Sequence, residues 1–555
     1  MMLLKQMMRW RRFEAGMERL TRIFIAVFLL LTVALPCSAE EPGAAVKSSQ
    51  LQTIDYLAIV GYMGIIVGVG VYFARREKTT EDYFLAGRRI PWWAATLSIF
   101  STYLSAITFM SIPAKAFNAN WLTVLVNIGI ILVTPVTVYC VLPFFRRFKV
   151  TTIYEYLELR FSPALRVYGS LAFLVYQVSK MGIFLLLPAM ALATVTGFNL
   201  YLCIVVMGLL CIVYTVMGGI EAVVWTDVLQ SVVLIGGALL CVGMIFSAEN
   251  FDFEKMMSVA VTEETNKFSV GDPATGVFWY FLVGGFFIQL FPFTGDQAVA
   301  QRFLTTPDTK SAARSAWAHA AMVVPASLLF FGLGTALYVF YASRPGEVPV
   351  AEQTDIIVPW FIVTQLPAGF AGLVIAGLFA ATMSSVDSGM HSIATTLTND
   401  VYSKLCPGVE DEKQLAVARI ITVMAGIFGV LAAVFLTRFG LDRGSLWDLL
   451  LQVIIPIGSS LAGVFMLGVL TRRATWYGAA SGVLVSMPMV VWFALAKDSP
   501  LPHGILKAAA GVLICMLVGY LVSLAVPGPE RSLRNLTIHT VAEDEESGKQ
   551  EATNE

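Results

Sequence analysis

Polar side chains crowd into residues 380–389 (AATMSSVDSG), a stretch that is apolar on both sides. A helix would place four small residues on one face, with Asp387 beside them: Ala381, Ser384, Ser385 and Ser388. Serines can also serve as small contacts where helices pack closely. Packing does not need a carboxylate, however, and a cluster of oxygen atoms suits a hard cation such as sodium. The stretch therefore predicts one wall of a cation site.

A second set of hydroxyl groups lies in PWWAATLSIFSTYLSAITFMSIPAKAF, where four residues recur at helical spacing: Ser98, Ser101, Ser105 and Thr108. Hydroxyl groups can satisfy carbonyls that are freed where a membrane helix loosens. An unwound helix in a transporter offers those carbonyls as cation ligands. The alternative is a hydroxyl-rich packing seam. A third segment, VGGFFIQLFPFTGDQ, is interrupted by glycine and proline and carries Gln289, a pattern typical of transporter binding sites.

Three ionisable residues lie inside apolar segments: Lys180, Asp227 and Asp387. An ionisable residue within a membrane span indicates a functional role by default. Lys180 could pair with either aspartate, or it could meet an anionic substrate as a point charge. The four histidines have no metal-ligand spacing, and the seven cysteines form no CxxC motif. No nucleophile elbow, HExxH motif or phosphate loop is present, so the sequence does not predict an enzyme.

The elements that must position these residues are membrane helices. The chain has 555 residues, of which 57% are hydrophobic and 14% charged, whereas soluble domains average about 25% charged residues. We predict an all-α polytopic membrane protein with thirteen spans, at 54–74, 91–116, 121–145, 163–195, 198–217, 220–247, 276–295, 312–343, 368–403, 414–438, 446–470, 474–496 and 504–526.

The two ends of the chain lie outside this region. Residues 1–39 combine a basic start, a short apolar core and a small-residue end, which predicts a cleavable signal peptide; the alternative is a retained helix. Residues 40–53 would be an extracellular segment, 54–526 the transporter domain, and 527–555 an acidic, disordered tail. Lysine and arginine cluster in alternate loops, which predicts an external N-terminus and a cytoplasmic C-terminus in a cell membrane.

Several motifs resemble the sodium:solute symporter family over roughly residues 50–526. They include STYLSAITFMSIPAKAF, YTVMGGIEAVVWTDVLQS, FTGDQAVAQRF and GLFAATMSSVDSGMHSIATTLTNDVY, which occur in family order. Among its members, the sequence is most similar to the bacterial sialic acid symporters. The resemblance implies a LeuT-type fold with two inverted repeats of five helices each, and a sodium ion that drives transport by alternating access.

The resemblance also implies particular site residues. The principal sodium site would use carbonyls of Ser101, Leu104 and Ala381 with the hydroxyls of Ser384 and Ser385. The sialic acid branch has a second sodium site, whose matching positions are Asp227, Ser384, Asp387 and Ser388. That branch has serine where this chain has Asp387, so the extra carboxylate would bind sodium, a proton or Lys180.

The positions that would contact the solute are Tyr103, Ser105, Thr108, Thr123, Asn127, Lys180 and Gln289. Lys180 stands where the branch has an arginine that holds the substrate carboxylate, and a point charge replaces a bidentate fork. We therefore expect a sodium-coupled symporter of a small organic anion, which could be sialic acid, another carboxylate or a sugar-like solute. Its partners would be that solute and the lipid bilayer, with no nucleic acid and no obligate protein partner. The alternatives are a proton-coupled permease, a solute sensor, or a membrane enzyme that uses the two aspartates.

Overall fold

The computed structural model describes residues 51–74, 79–148, 150–247, 253–262, 266–348, 354–439, 446–496, 500–528 and 533–540. Within these ranges the regular structure is helical, apart from one isolated bridge between Val261 and Asn266. The predicted all-α class is therefore confirmed. The predicted signal peptide and all but the last residues of the predicted external segment lie outside the described residues.

The helices are numbered here in chain order. The first nine are α1 (Thr53–Ala74), α2 (Thr80–Leu85), α3 (Trp92–Tyr103), α4 (Ala106–Asn118), α5 (Val124–Val136), α6 (Leu142–Arg147), α7 (Tyr154–Arg160), α8 (Pro163–Thr196) and α9 (Leu200–Phe246). The others are α10 (Phe253–Ala260), α11 (Gly276–Thr294), α12 (Gln297–Leu304), α13 (Thr309–Ala342), α14 (Ile357–Gln365), α15 (Phe370–Thr396), α16 (Asp411–Phe439), α17 (Leu446–Leu470), α18 (Trp476–Leu495) and α19 (Lys507–Ala525).

The number of membrane spans depends on how one long helix is counted. In the described ranges, eleven helices are long and apolar enough to cross a membrane, and the bent pair α3–α4 makes twelve. Thirteen spans were predicted, and the difference lies in α9. This helix has 47 residues and would be about 70 Å long, more than twice the thickness of a bilayer core. Gly219, with φ 50° and ψ −157°, divides it where the sequence predicts two spans.

The helix α15 runs through the middle of the protein. Every residue from Val374 to Thr396 is buried, and α15 packs against α1, α8, α9 and α16. Its first turn is fixed by α1, because Asp55 Oδ1 accepts the backbone N–H groups of Gly369 at 2.7 Å and Gly372 at 2.8 Å. A carboxylate in that position satisfies free N–H groups and complements the helix dipole. The polar residues of α15 are therefore held at a fixed depth.

Part of the predicted disordered tail is packed. In the segment 533–540, Leu536 and Thr537 are buried, and the Leu536 carbonyl accepts a hydrogen bond of 2.9 Å from the Tyr156 hydroxyl of α7. His539 contacts the Leu470 carbonyl at the end of α17, at 3.1 Å. The prediction of disorder is therefore wrong for this segment, because apolar and hydroxyl side chains give it a surface to pack against. Residues 541–555 lie outside the described part.

Candidate functional site

The first component of the site is the break between α3 and α4. The two helices differ in direction by 56°, and Leu104 between them has a non-helical conformation, with φ −75° and ψ 69°. A helix end leaves its last carbonyls without intrahelical partners. The break therefore presents main-chain oxygens of residues 101–104 in the middle of the protein, as the hydroxyl stripe predicts.

The polar face of α15 lies against this break. Ser385 Oγ is 3.4 Å from the Thr102 carbonyl oxygen and 3.3 Å from the Ala381 carbonyl oxygen. Ser101 Oγ is buried and has no hydrogen-bond partner among the described residues. Hydroxyl and carbonyl oxygens from both helices thus face the same small region. This arrangement matches the ligand type expected for a hard alkali cation.

The hydroxyl of Ser384 faces a different neighbour. It donates a hydrogen bond of 2.5 Å to Asp227 Oδ1, and Ser98 Oγ donates one of 2.5 Å to Asp227 Oδ2. Asp227 is buried in the second half of α9. The two hydroxyl groups therefore join α3, α9 and α15 around one carboxylate.

A guanidinium lies among the residues expected for a second sodium site. Arg302 of α12 donates to Asp227 Oδ2 at 2.8 Å and to Ser98 Oγ at 2.6 Å, and it also donates to Ser388 Oγ. Its side chain is 1% exposed. The structure thus brings Asp227, Ser384 and Ser388 together as expected, with an arginine side chain bonded to two of them.

Asp387 contacts Ser388 and has a partner of its own on α9. Its Oδ2 atom accepts a hydrogen bond of 2.5 Å from the Tyr214 hydroxyl of α9, and its Oδ1 atom is 3.2 Å from Ser388 Oγ. Pairing of Lys180 with Asp387 or Asp227, one of the two roles considered for this lysine, is not observed. Lys180 Nζ lies 3.9 Å from Asp296 Oδ2 instead. The reason is position, because Lys180 faces the end of α11 rather than α15.

A cavity of about 160 Å³ lies beside the helix break. Six of the seven predicted solute contacts line it: Tyr103, Ser105, Thr108, Asn127, Lys180 and Gln289. Thr123, the seventh, instead lines a neighbouring cavity of about 260 Å³, which also includes Asn127. Lys180 Nζ is 5.8 Å from the centre of the Tyr176 ring and 5.5 Å from that of Phe184. The lysine is therefore enclosed by aromatic side chains at the cavity wall.

Several polar groups of the cavity are paired with one another. The Tyr103 hydroxyl donates to Gln289 Oε1 at 3.0 Å, and Asn127 Nδ2 donates to Ser327 Oγ at 3.0 Å. Thr108 Oγ1 donates to the Tyr103 carbonyl at 3.1 Å. These bonds fix the orientation of the side chains before a solute arrives, which lowers the ordering cost of binding.

Four residues of the site were missed in the sequence: Tyr214, Asp296, Arg302 and His319. Arg302 lies between the predicted spans 276–295 and 312–343 and would count there as a loop charge on the cytoplasmic side, but all eight residues of α12 are buried. The charge of Arg302 therefore gives no information about the orientation of the chain in the membrane. Asp296 carried a detectable signal, because it follows a glycine- and proline-interrupted segment and caps α12 through the Ala298 N–H at 2.8 Å. Tyr214 and His319 carry no signal in their own segments.

Residues 83–486 match the sequence model of the sodium:solute symporter family. The chain belongs to the sodium:solute symporter family. It is therefore a sodium-coupled transporter of a small solute and not an enzyme, as the sequence predicts.

Several symporters resemble this chain over most of its length. A sodium/sialic acid symporter from Proteus mirabilis is 38% identical over 447 residues, which are 79% of this chain and 89% of that protein. A sodium/sialic acid symporter from Aliivibrio fischeri is 36% identical, over 86% of this chain and 94% of that protein. The sodium-dependent multivitamin transporter of Oryctolagus cuniculus is 27% identical, over 82% of this chain and 72% of that protein.

Solved structures confirm the symporter fold. The substrate-bound, outward-open structure of a Na+-coupled sialic acid symporter, described as having a novel Na+ site, superposes with a TM-score of 0.79 at 35% identity. The superposition covers 86% of this chain and 99% of the sialic acid symporter chain. Mhp1, a nucleobase–cation-symport-1 family transporter, shares the fold at a TM-score of 0.56 and 18% identity, over 82% of this chain and 97% of that one. The predicted LeuT-type architecture is therefore confirmed.

Proposed function

We propose that this symporter binds its driving sodium ion between the α3–α4 break and α15. The ligands would be the carbonyls of Ser101, Leu104 and Ala381 with the hydroxyls of Ser384 and Ser385. The observation that carries the proposal is the contact of Ser385 Oγ with the Thr102 and Ala381 carbonyls, at 3.4 and 3.3 Å. At the Ser385–Thr102 contact, an oxygen atom of the broken helix and one of the intact helix α15 meet.

At the second cation position, the positive charge would come from the protein's own Arg302 rather than from a sodium ion. Arg302 already donates to Asp227 and to Ser388, two of the residues that the resemblance assigns to a second sodium ion. A sodium ion and a guanidinium that share these oxygens would repel each other at short range. We therefore assign one sodium ion to each transport cycle. Asp227, Asp387 and Ser388 would then not bind a second ion but would form the polar framework around the first.

The solute we propose is an organic acid, with a hydroxylated sugar acid such as sialic acid as the first candidate. Lys180 lines the cavity, and an ammonium group in an enclosed, aromatic wall favours an anion. Similarity to the sodium/sialic acid symporters supports the same class. Asp296 lies 3.9 Å from Lys180, so the solute carboxylate would compete with it for the ammonium group.

The direction of transport we propose is import across the cell membrane. The N-terminus would be outside and the C-terminus in the cytoplasm, which is supported by paired basic residues in predicted cytoplasmic loops, such as Arg146 with Arg147 and Arg472 with Arg473. Arg302 is removed from that count because it is buried. The remaining loop charges still support the assignment.

The sodium site can be tested by uptake of labelled N-acetylneuraminic acid into proteoliposomes. We expect the double variant Ser384→Ala with Ser385→Ala to reach the membrane but to lose sodium-driven uptake, because it lacks both hydroxyl ligands. Ser392→Ala is the matched control, since Ser392 is on the same helix and, among the described residues, donates only to its own turn, at the Gly389 carbonyl. Normal uptake by the double variant would contradict the assigned site.

The nearest alternative is proton coupling by the same fold. Replacing sodium with choline at constant pH separates the two, because a proton-coupled permease would keep its uptake. Net uptake itself separates a transporter from a sensor, which would bind the solute without moving it.

A further inference from the structure

His319 of α13 is a buried polar residue for which the sodium site has no role. It lines the solute cavity, its side chain is 1% exposed, and both of its ring nitrogens lack a hydrogen-bond partner among the described residues. Its ring packs against Tyr103 and Phe293, with ring centres 5.5 Å apart in each case, and against Phe100 at 6.2 Å. Aromatic neighbours therefore hold the ring in place without satisfying its nitrogens.

A neutral imidazole has one hydrogen-bond donor and one acceptor. Leaving both unpaired in a buried site costs free energy that a phenylalanine of similar shape would not cost. Most buried polar side chains have partners, so an unpaired one indicates a partner that arrives from elsewhere. The cavity is the place from which such a partner can come.

The neighbouring polar groups do not fill this role. The Tyr103 hydroxyl donates to Gln289, Asn127 donates to Ser327, and Thr108 donates to the Tyr103 carbonyl. These groups are paired with one another, whereas His319 faces the same cavity with both nitrogens unused. A solute bound in this cavity could satisfy them.

We propose that His319 binds a hydroxyl group of the transported solute and thereby selects hydroxylated acids over simple monocarboxylates. A hydroxyl group both donates and accepts, so it can pair with either ring nitrogen in either tautomer, whereas a carboxylate oxygen can only accept. Lys180 would hold the acid group and His319 a hydroxyl group of the same molecule. The inference rests on the proposed function, because it concerns the solute of that transporter.

The test compares two acids on the purified full-length protein. N-acetylneuraminic acid carries several hydroxyl groups and propionate carries none, and the affinity of each is measured in NaCl and in KCl. His319→Phe keeps the aromatic packing and removes both nitrogens, while His319→Gln keeps a donor and an acceptor. His539→Phe, on the packed C-terminal segment, is the control for a histidine outside the cavity.

We expect His319→Phe to weaken the binding of N-acetylneuraminic acid about ten- to a hundredfold and to leave the affinity for propionate unchanged. His319→Gln should recover part of that loss. Stabilisation by sodium without solute should stay as in the wild type, which a merely structural role would not predict. Unchanged affinity in His319→Phe, or loss of the sodium response together with the solute, would overturn the inference.

A second measurement does not depend on affinity. The chain holds four histidines, so nitrogen-15 histidine spectra are simple, and the His319 signal is assigned by its absence from His319→Gln. N-acetylneuraminic acid with NaCl should shift this signal, and binding that leaves it in place would overturn the inference. A wild-type protein that shows no sodium-dependent response to either acid would instead count against the proposed function.

Discussion

Removing the buried guanidinium should be among the most damaging single changes in this protein. Arg302 and Asp227 are 1% and 0% exposed, and their charged atoms are 2.8 Å apart. Arg302→Gln keeps part of the hydrogen bonding but leaves the carboxylate without its cation. Breaking a buried ion pair from one side costs about 3–5 kcal/mol. We expect a loss of that size in the free energy of unfolding.

The assay is thermal unfolding of the purified protein in KCl and in NaCl, with Asp227→Asn and the double variant completing a cycle. Removal of both charges should cost less than the sum of the single changes, with a coupling of up to about 3 kcal/mol. Arg314→Gln is the control, because Arg314 is exposed, and it should change stability by less than about 0.5 kcal/mol.

Sodium gives this experiment a second readout. The guanidinium donates to Asp227, Ser98 and Ser388, and each of these residues offers an oxygen ligand once the guanidinium is removed. Arg302→Gln should therefore gain extra stabilisation in NaCl, worth about 2.7 kcal/mol at a hundred times the dissociation constant. A variant as stable as the wild type in KCl, or single-variant losses that simply add, would refute the reasoning.

Two further predictions concern the backbone and a surface charge. Gly219→Ala should lower the free energy of unfolding by about 1–3 kcal/mol, because φ 50° with ψ −157° is accessible essentially to glycine alone. The control is Gly243→Ala, where an added Cβ meets no atom within 4 Å. Equal melting temperatures of the two variants would contradict the prediction. Partial burial raises the pKa of Glu158, but hydrogen bonds from Lys404 and Arg166 outweigh it and lower the pKa below the ordinary value of 4.5. Ionised Glu158 therefore adds stability above pH 4.5 that is lost as the pH falls through the folded-state value. The difference in melting temperature between the wild type and Glu158→Gln should shrink on acidification, and a constant difference would rule this out.

The helices could be predicted well from the sequence, and so could the two segments that meet at the proposed sodium site. The spans predicted at 163–195 and 446–470 are observed at Pro163–Thr196 and Leu446–Leu470, because long apolar runs with polar ends leave few alternatives. The segment that carries the hydroxyl stripe from Ser98 to Thr108 contacts the polar face around Ser385, through the Thr102 carbonyl. Residue type and helical spacing are local properties, so a single segment can show them.

What could not be predicted are partners from distant parts of the chain. Arg302 is separated from Asp227 by 75 positions, and its segment looks like a charged loop because only the packing of α12 into the interior buries it. Tyr214 binds Asp387 across 173 positions. A charge count treats every loop as solvated, and that assumption fails where a short helix turns inward.

The arginine beside Asp227 also bears on how strongly this transporter can concentrate its solute. One sodium ion moving with one monovalent anion carries no net charge, so the membrane voltage, worth about 2.3 kcal/mol per charge at 100 mV, would not contribute. The accumulation ratio would then be limited by the sodium concentration ratio alone, so a tenfold gradient could sustain about tenfold accumulation. If the proposed ratio of one sodium ion to one monovalent anion holds, a cation built into the chain would make each cycle electrically silent.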